Sequence, residues 1–317
     1  MSSLIRIGTS GWSYPPKTEG SWKGIFYPPG KIDELSYYAD RFETVEVNST
    51  FYRPPSPGVV HNWAQKTSRN FDFTVKLWQK FTHPEMFAQK TGRDATVTRA
   101  DVDYFKKGLE PLVRAGKLGC LLVQFPPRFH FKEENREHLD RTLKAFGDYP
   151  LAVELRHRSW TDQGAETGKI LADHGASLVY IDEPKFIFSI QQDFKPTGQI
   201  FYLRMHGRNI EKWFRHKTAA EKYNYLYSGE ELDPFVKGLR HIKDLASKVY
   251  VYMNNHYKAK AVVNAIMLRY KLDRPIDRTF WRGLIDEYPE LKELSLALEG
   301  QEDLFEGDLF GGGASQQ

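Results

Sequence analysis

Residues 150–160 read PLAVELRHRSW. Leu151, Ala152 and Val153 form a short apolar run that turns at once into Glu154, Arg156, His157 and Trp160. Three residues that favour burial, followed by a carboxylate, a guanidinium and an imidazole, suggest a buried strand whose carboxyl end opens into a site. In a closed parallel barrel the strand interiors pack, and catalytic groups stand at the carboxyl ends. The plainer reading is an ion pair, Glu154 with a nearby arginine, that caps the strand.

The pattern repeats outward along the chain. Apolar runs at residues 4–8, 44–47, 71–75 and 119–123 precede this one, and runs at 177–181, 200–203 and 249–252 follow it. Several are apolar on both faces, as parallel strands covered by helices must be. Helical patterns lie between most of them, at 32–41, 101–115, 133–146, 166–174, 230–246 and 258–270. Val102, Phe105, Leu109 and Leu112 make one apolar face of the second. Alternation of strand and helix predicts an α/β fold, and eight strand candidates predict a single closed (β/α)8 TIM-type barrel over residues 1–300. Residues 183–199 show no clean helical period. The stretches 10–30 and 78–98 read as long loops, which in a compact domain are usually functional.

Composition bounds the rest. The chain has 317 residues and a net charge of +4, which permits an anionic partner without demanding one. A single cysteine, Cys120, excludes an internal disulfide and makes a cysteine-based zinc site a poor reading. No run reaches the length of a membrane span and the N-terminus lacks a signal-peptide core, so a soluble, cytoplasmic protein is expected.

Polar groups collect at the ends of the runs: carboxylates at Glu46, Glu154 and Asp182, cations at Lys76, Arg156 and Arg204, and imidazoles at His157, His206 and His256. Asn48, Gln124, Asn254 and Asn255 add amides, and His83 stands on the 78–98 stretch. The barrel would bring these around one mouth. Several cations with few uncompensated acids suit a phosphate or carboxylate, with Lys76, Arg156 and Arg204 orienting it. Carboxylate beside imidazole suits acid–base chemistry, with Glu154 and His157 as the leading pair and Glu46, Asp182 and His206 as further candidates. Tyr14, Phe51, Tyr52, Trp78 and Trp160 are candidate walls. Each residue also has a structural reading: Glu46 pointing inward would pair with Arg204, and Asp182 would cap a turn. A divalent metal is conceivable from the Glu, Asp and His set, but no close-spaced motif such as HExxH supports it.

The blocks GTSGWSY (8–14), FETVEVNSTFY (42–52), FDFTVK (71–76), FTHP (81–84), LVQFPP (122–127), AVELRHRSW (152–160), YLRMHGR (202–208) and VYMNNH (251–256) occur in that order. Over roughly residues 4–270 the chain resembles the YecE-like family, domain of unknown function 72. The resemblance implies a TIM-type barrel. It implies no reaction, and likeness to sugar isomerases and endonuclease-IV-type barrels is analogy of fold. Its motif positions fall on Glu46, Asn48, Lys76, His83, Gln124, Glu154, Arg156, His157, Arg204, His206, Asn254 and Asn255. The readings that remain are an enzyme on an anionic substrate, phosphate-containing or nucleic acid (a hydrolase or phosphodiesterase), a sugar isomerase or epimerase, and a non-catalytic nucleic-acid-binding or clamp-associated protein.

Residues 301–317 read as a disordered tail. Within it QEDLF resembles a peptide that docks on the bacterial sliding clamp, with Gln301, Leu304 and Phe305 as its contacts.

Overall fold

The computed structural model describes residues 5–14, 20–215, 219–274, 276, 282–292 and 294. The proposed docking residues Gln301, Leu304 and Phe305 lie outside them.

All the expected strands form: β1 (Ile5–Thr9), β2 (Thr44–Val47), β3 (Asp72–Lys76), β4 (Leu118–Gln124), β5 (Leu151–Glu154), β6 (Ser177–Asp182), β7 (Ile200–Met205) and β8 (Lys248–Met253). They make one parallel eight-stranded sheet in the order β1-β8-β7-β6-β5-β4-β3-β2. Its two ends meet through a bridge from Ser10 to Glu46, where the Gly11 N–H donates to the Glu46 carbonyl at 2.8 Å. The TIM-type barrel is thus nearly closed. At the seam the Tyr38 hydroxyl takes the place of ladder bonds. It accepts from the Thr9 N–H at 2.9 Å and donates to the Thr44 carbonyl at 3.1 Å.

The helices are α1 (Glu34–Ala39), α2 (Pro57–Gln65), α3 (Gln79–Thr82), α4 (Pro84–Thr91), α5 (Arg99–Arg114), α6 (Glu133–Ala145), α7 (Ser159–Asp162), α8 (Gly164–Asp173), α9 (Ile210–Phe214), α10 (Ala219–Lys222), α11 (Gly229–Ile242), α12 (Lys260–Lys271) and α13 (Arg282–Glu287). Helix α5 starts where Thr98 and Asp101 form a reciprocal capping box, and it buries Phe105, Leu109 and Leu112 as its periodicity requires. Helices α3 and α4 occupy the stretch expected to be a long loop. The polar run around Phe87, which is the sole buried residue of α4, hides the helical period. Between β6 and β7 the absence of a helical period is real. There Gln192 supplies hydrogen bonds instead, accepting from the Ile181 N–H and donating to the Val179 carbonyl. No helix among the described residues is long and apolar enough to cross a membrane.

Alternate residues of each strand point inward and stack in layers, as a barrel interior requires. Tyr250 donates to Asp72 at 2.7 Å in the lowest layer. Above it, Thr44 meets the Tyr252 hydroxyl and Thr74 meets the Tyr202 hydroxyl. Glu46, Lys76, Arg204 and, just past β8, Asn254 each lie two residues further along, and with Gln124 and Glu154 at the ends of β4 and β5 they make the uppermost layer polar and ionic rather than apolar.

Candidate functional site

Arg204, on β7, lies at the centre of this layer. Each of its nitrogens donates to a carboxylate: Nε and Nη2 to Glu46 at 2.9 and 2.7 Å, and Nη1 to Glu154 at 2.5 Å. The Tyr202 hydroxyl donates to Glu46 as well, at 2.6 Å. Arg156, just past β5, donates from Nε to the other oxygen of Glu154 at 2.7 Å and from Nη1 to Glu183 at 3.1 Å. Its Nη2 lies 3.3 Å from Nε2 of His206. Isolated buried charges would be prohibitive; here each guanidinium is matched by carboxylates with directed hydrogen bonds.

These contacts change the roles expected from sequence. Arg204 spends its nitrogens on Glu46 and Glu154, so it frames the site rather than reaching outward. Burial alone would raise Glu154, but Arg156, Arg204 and Lys76 hold it down at about 2. It stays ionised at neutral pH, which does not suit acid–base exchange. His157 does not turn to Glu154: its Nδ1 meets the Ser159 hydroxyl at 2.8 Å, and its ring stacks on His130 at 3.8 Å. The imidazole beside Glu154 is His206, with Nε2 at 3.9 Å. Burial and the charges of Arg156 and Arg204 push His206 well below its ordinary value, so the ring is neutral. Its two ring nitrogens are both engaged: the Arg156 Nη2 lies 3.3 Å from Nε2, and the Asn254 side-chain nitrogen lies 2.8 Å from Nδ1.

The other candidates are engaged in contacts within the fold. Asp182 is gripped by Arg208 and accepts from the Tyr227 hydroxyl at 2.6 Å. Trp160 is fully buried, donates to the Phe129 carbonyl and stacks on Phe129. Asn255 donates to the Tyr225 carbonyl and to Asn264. Tyr52 is 64% exposed, its ring edge-on to Phe51 at 5.4 Å. His83 is buried edge-on against Phe51 at 4.9 Å, and burial, then Lys76, pushes it down to about 3. Tyr14 stacks on His256 at 4.7 Å.

Lys76, Asn48 and Gln124 remain uncommitted. Asn48 and Gln124 are half-buried, and neither amide has a hydrogen-bond partner among the described residues. The Lys76 ammonium lies 4.2 Å over the Phe51 ring and has no carboxylate or hydrogen-bond acceptor among the described residues. Burial, with Arg204 and Arg156, pushes it down to about 7 against the opposing pull of Glu154 and Glu46.

Three groups escaped sequence reasoning. Glu183 lies one residue past β6, its carboxyl raised by burial. Its position beside Asp182 was the available signal. Lys222 and Tyr223 lie at the end of α10, whose short polar sequence carries no strand-end signature. The Lys222 ammonium lies 3.8 Å over Trp213 with no carboxylate partner among the described residues, and burial and Arg156 push it down to about 8. Tyr223, raised by burial, lies 5.0 Å from the His256 ring. Lys76, Arg156, Arg204 and Lys222 outnumber Glu46, Glu154 and Glu183. Among the described residues no three His, Cys, Asp or Glu side chains converge as a metal site.

A family model described as "Protein of unknown function DUF72" matches residues 6–283. UPF0759 protein YunF of Bacillus subtilis is 29% identical over 284 residues, 85% of this chain and 95% of the relative. UPF0759 protein YecE of Escherichia coli is 28% identical over 185 residues, 56% of this chain and 59% of the relative. A crystal structure of a DUF72 family protein from Thermotoga maritima is 35% identical with a TM-score of 0.73, covering 86% of this chain and 100% of that one. One from Enterococcus faecalis is 24% identical with a TM-score of 0.74, covering 86% and 97%.

Proposed function

Because the chain belongs to the DUF72 family and is built on the barrel of its solved members, we propose that it is an enzyme acting on a small anionic, phosphate-bearing substrate at the carboxyl ends of the strands. One observation carries this reading. Lys76 and Lys222 both approach a mouth where Arg156 and Arg204 have already taken Glu46, Glu154 and Glu183, and neither lysine has a carboxylate partner among the described residues. Surplus positive charge in a half-desolvated mouth is costly, and a bound anion relieves it. In this reading Lys222 and Lys76 hold the anion, Arg156 adds positive charge beside it from its place on Glu154 and Glu183, and Asn48 and Gln124 offer amides to the rest of the substrate. Glu183 and His206 are the acid–base groups, one raised and one lowered by the same buried surroundings. Glu46, Glu154 and Arg204 are the frame.

Calorimetry with sugar phosphates against the same sugars without phosphate tests the binding step. Tighter binding of the phosphorylated forms, weakened by Lys222→Met, is expected; equal binding overturns the reading. Turnover followed by phosphorus NMR, lost in Glu183→Gln, tests the chemistry. Tight binding of duplex DNA with a steep salt dependence, and none of sugar phosphates, would instead favour a nucleic-acid ligand.

A further inference from the structure

We propose that Lys76 is an amine nucleophile that forms an imine with the carbonyl carbon of an aldehyde or ketone held in the barrel mouth. The anionic character of that carbonyl compound rests on the reading above; the reactivity of the amine does not.

The contacts of Lys76, half-buried in the mouth, distinguish it from the buried lysines Lys80 and Lys117. Lys80 is neutralised by Asp101 at 2.9 Å. Lys117 donates to the Ala64 and Thr67 carbonyls and to the Thr67 hydroxyl, at 2.6, 2.8 and 2.9 Å. A lysine retained for its charge is satisfied in one of these two ways. Lys76 has neither, although Glu46 and Glu154 occupy the same layer of the barrel. Arg204 and Arg156 have already taken those carboxylates. The arginines therefore act twice on Lys76: they occupy its natural counterions, and they add positive charge around it. His83, close by and neutral, supplies no counter-charge. Only the carboxylates, already shared, and the Phe51 face favour the ammonium. A lysine desolvated beside other cations is how proteins expose a free amine at neutral pH, and Lys76, pushed down to about 7, is neutral in about half the molecules there.

The step balances without an oxidant or reductant. The Nζ lone pair attacks the carbonyl carbon, a carbon–nitrogen bond forms, and the carbonyl oxygen becomes a hydroxyl by taking a proton. The nitrogen then loses its protons as the hydroxyl leaves as water. The product is an imine plus one water, with no net proton consumed. Glu183 is the group suited to lend and recover the proton, because burial holds its carboxyl above the ordinary range.

The test uses the full chain, glycolaldehyde phosphate as probe and sodium cyanoborohydride to reduce the imine irreversibly. Adducts are assigned by peptide mapping at pH values from 6 to 9, with unphosphorylated glycolaldehyde and sulfate competition in parallel. Lys76 is expected to react ~100-fold faster at pH 7 than the exposed Lys107, since an amine pushed down to about 7 is about half neutral there. Its rate is expected to rise through a midpoint near pH 7 and to vanish in Lys76→Met. Labelling of Lys76 no faster than of Lys107 overturns the proposal, and because that comparison is made within the wild-type protein it does not depend on the variant folding. If Lys76 is selected equally by both aldehydes and sulfate does not compete, the amine proposal stands and the anion reading falls. If sulfate binds but Lys76 is not selected, the reverse holds.

Discussion

Arg204 closes on Glu46 along one edge of its guanidinium, Nε to Oε2 at 2.9 Å and Nη2 to Oε1 at 2.7 Å, with both side chains sealed inside the barrel. Both are desolvated, so removing one strands the other. Glu46→Ala is expected to cost roughly 3–5 kcal/mol by urea unfolding, as for other broken buried pairs. Glu46→Gln, which keeps an acceptor for Tyr202 and Arg204 but not the charge, is expected to cost less. Equal stability of wild type and Glu46→Ala would mean that the ionic layer is not formed.

The seam between β1 and β2 depends on two side-chain choices. Tyr38→Phe leaves the Thr9 N–H and the Thr44 carbonyl without the hydroxyl that joins them, and is expected to cost about 1–3 kcal/mol. Hydrogen exchange at Thr9 is expected to quicken more than at strands away from the seam. Gly8 is required there because a Cβ on it would meet the Thr44 carbonyl oxygen at 2.2 Å, whereas one on Gly58 meets nothing within 4 Å. Gly8→Ala is therefore expected to destabilise by about 1–3 kcal/mol or more, and Gly58→Ala to be near neutral.

Stability is expected to fall as pH drops below about 6.5. His206, His83 and His256 are neutral and lowered in the folded state, the last two to about 3 and 4. The unfolded chain therefore binds more protons below 6.5, and stability drains away as pH falls toward the folded values. Glu154 follows, with its contribution lost between about 4.5 and about 2. Glu183, raised by burial, opposes this by regaining stability as pH falls through its folded value. Urea midpoints from pH 7.5 to 4.5 check the sum; a midpoint that rises below 6.5 contradicts it. Above neutrality the lowered lysines Lys76 and Lys222 make stability rise toward pH 9, and Lys76→Met is expected to flatten that slope.

The barrel was legible because its signal is local. Eight apolar runs at regular intervals need no long-range knowledge, and LAVE is a buried strand wherever it pairs. Two helices were hidden because α3 and α4 present little apolar surface, Phe87 being the buried residue of the latter. At the site, residue types and strand-end positions were legible but partnerships were not. Glu154 and His157 are close in sequence, yet the turn after β5 sends His157 to Ser159 and His130. Meanwhile His206, on a different strand, arrives beside Glu154. Whether a guanidinium binds a ligand or a carboxylate is decided by what lies across the barrel, and for Arg204 that is Glu46, far away in sequence. Lys222 was invisible because it enters the mouth from a short helix rather than from a strand end.

The central claim is that the mouth holds unneutralised positive charge for an anion, and sulfate, which does not titrate near neutrality, tests it most directly. Calorimetry at pH 7.5 in two buffers of different ionisation heat measures both binding and the protons that accompany it. A bound anion favours the charged forms of Lys76 and Lys222, so binding is expected to draw protons from the buffer, and the uptake is expected to shrink in Lys76→Met and in Lys222→Met. No binding, or binding without proton uptake that both variants leave unchanged, would contradict the account.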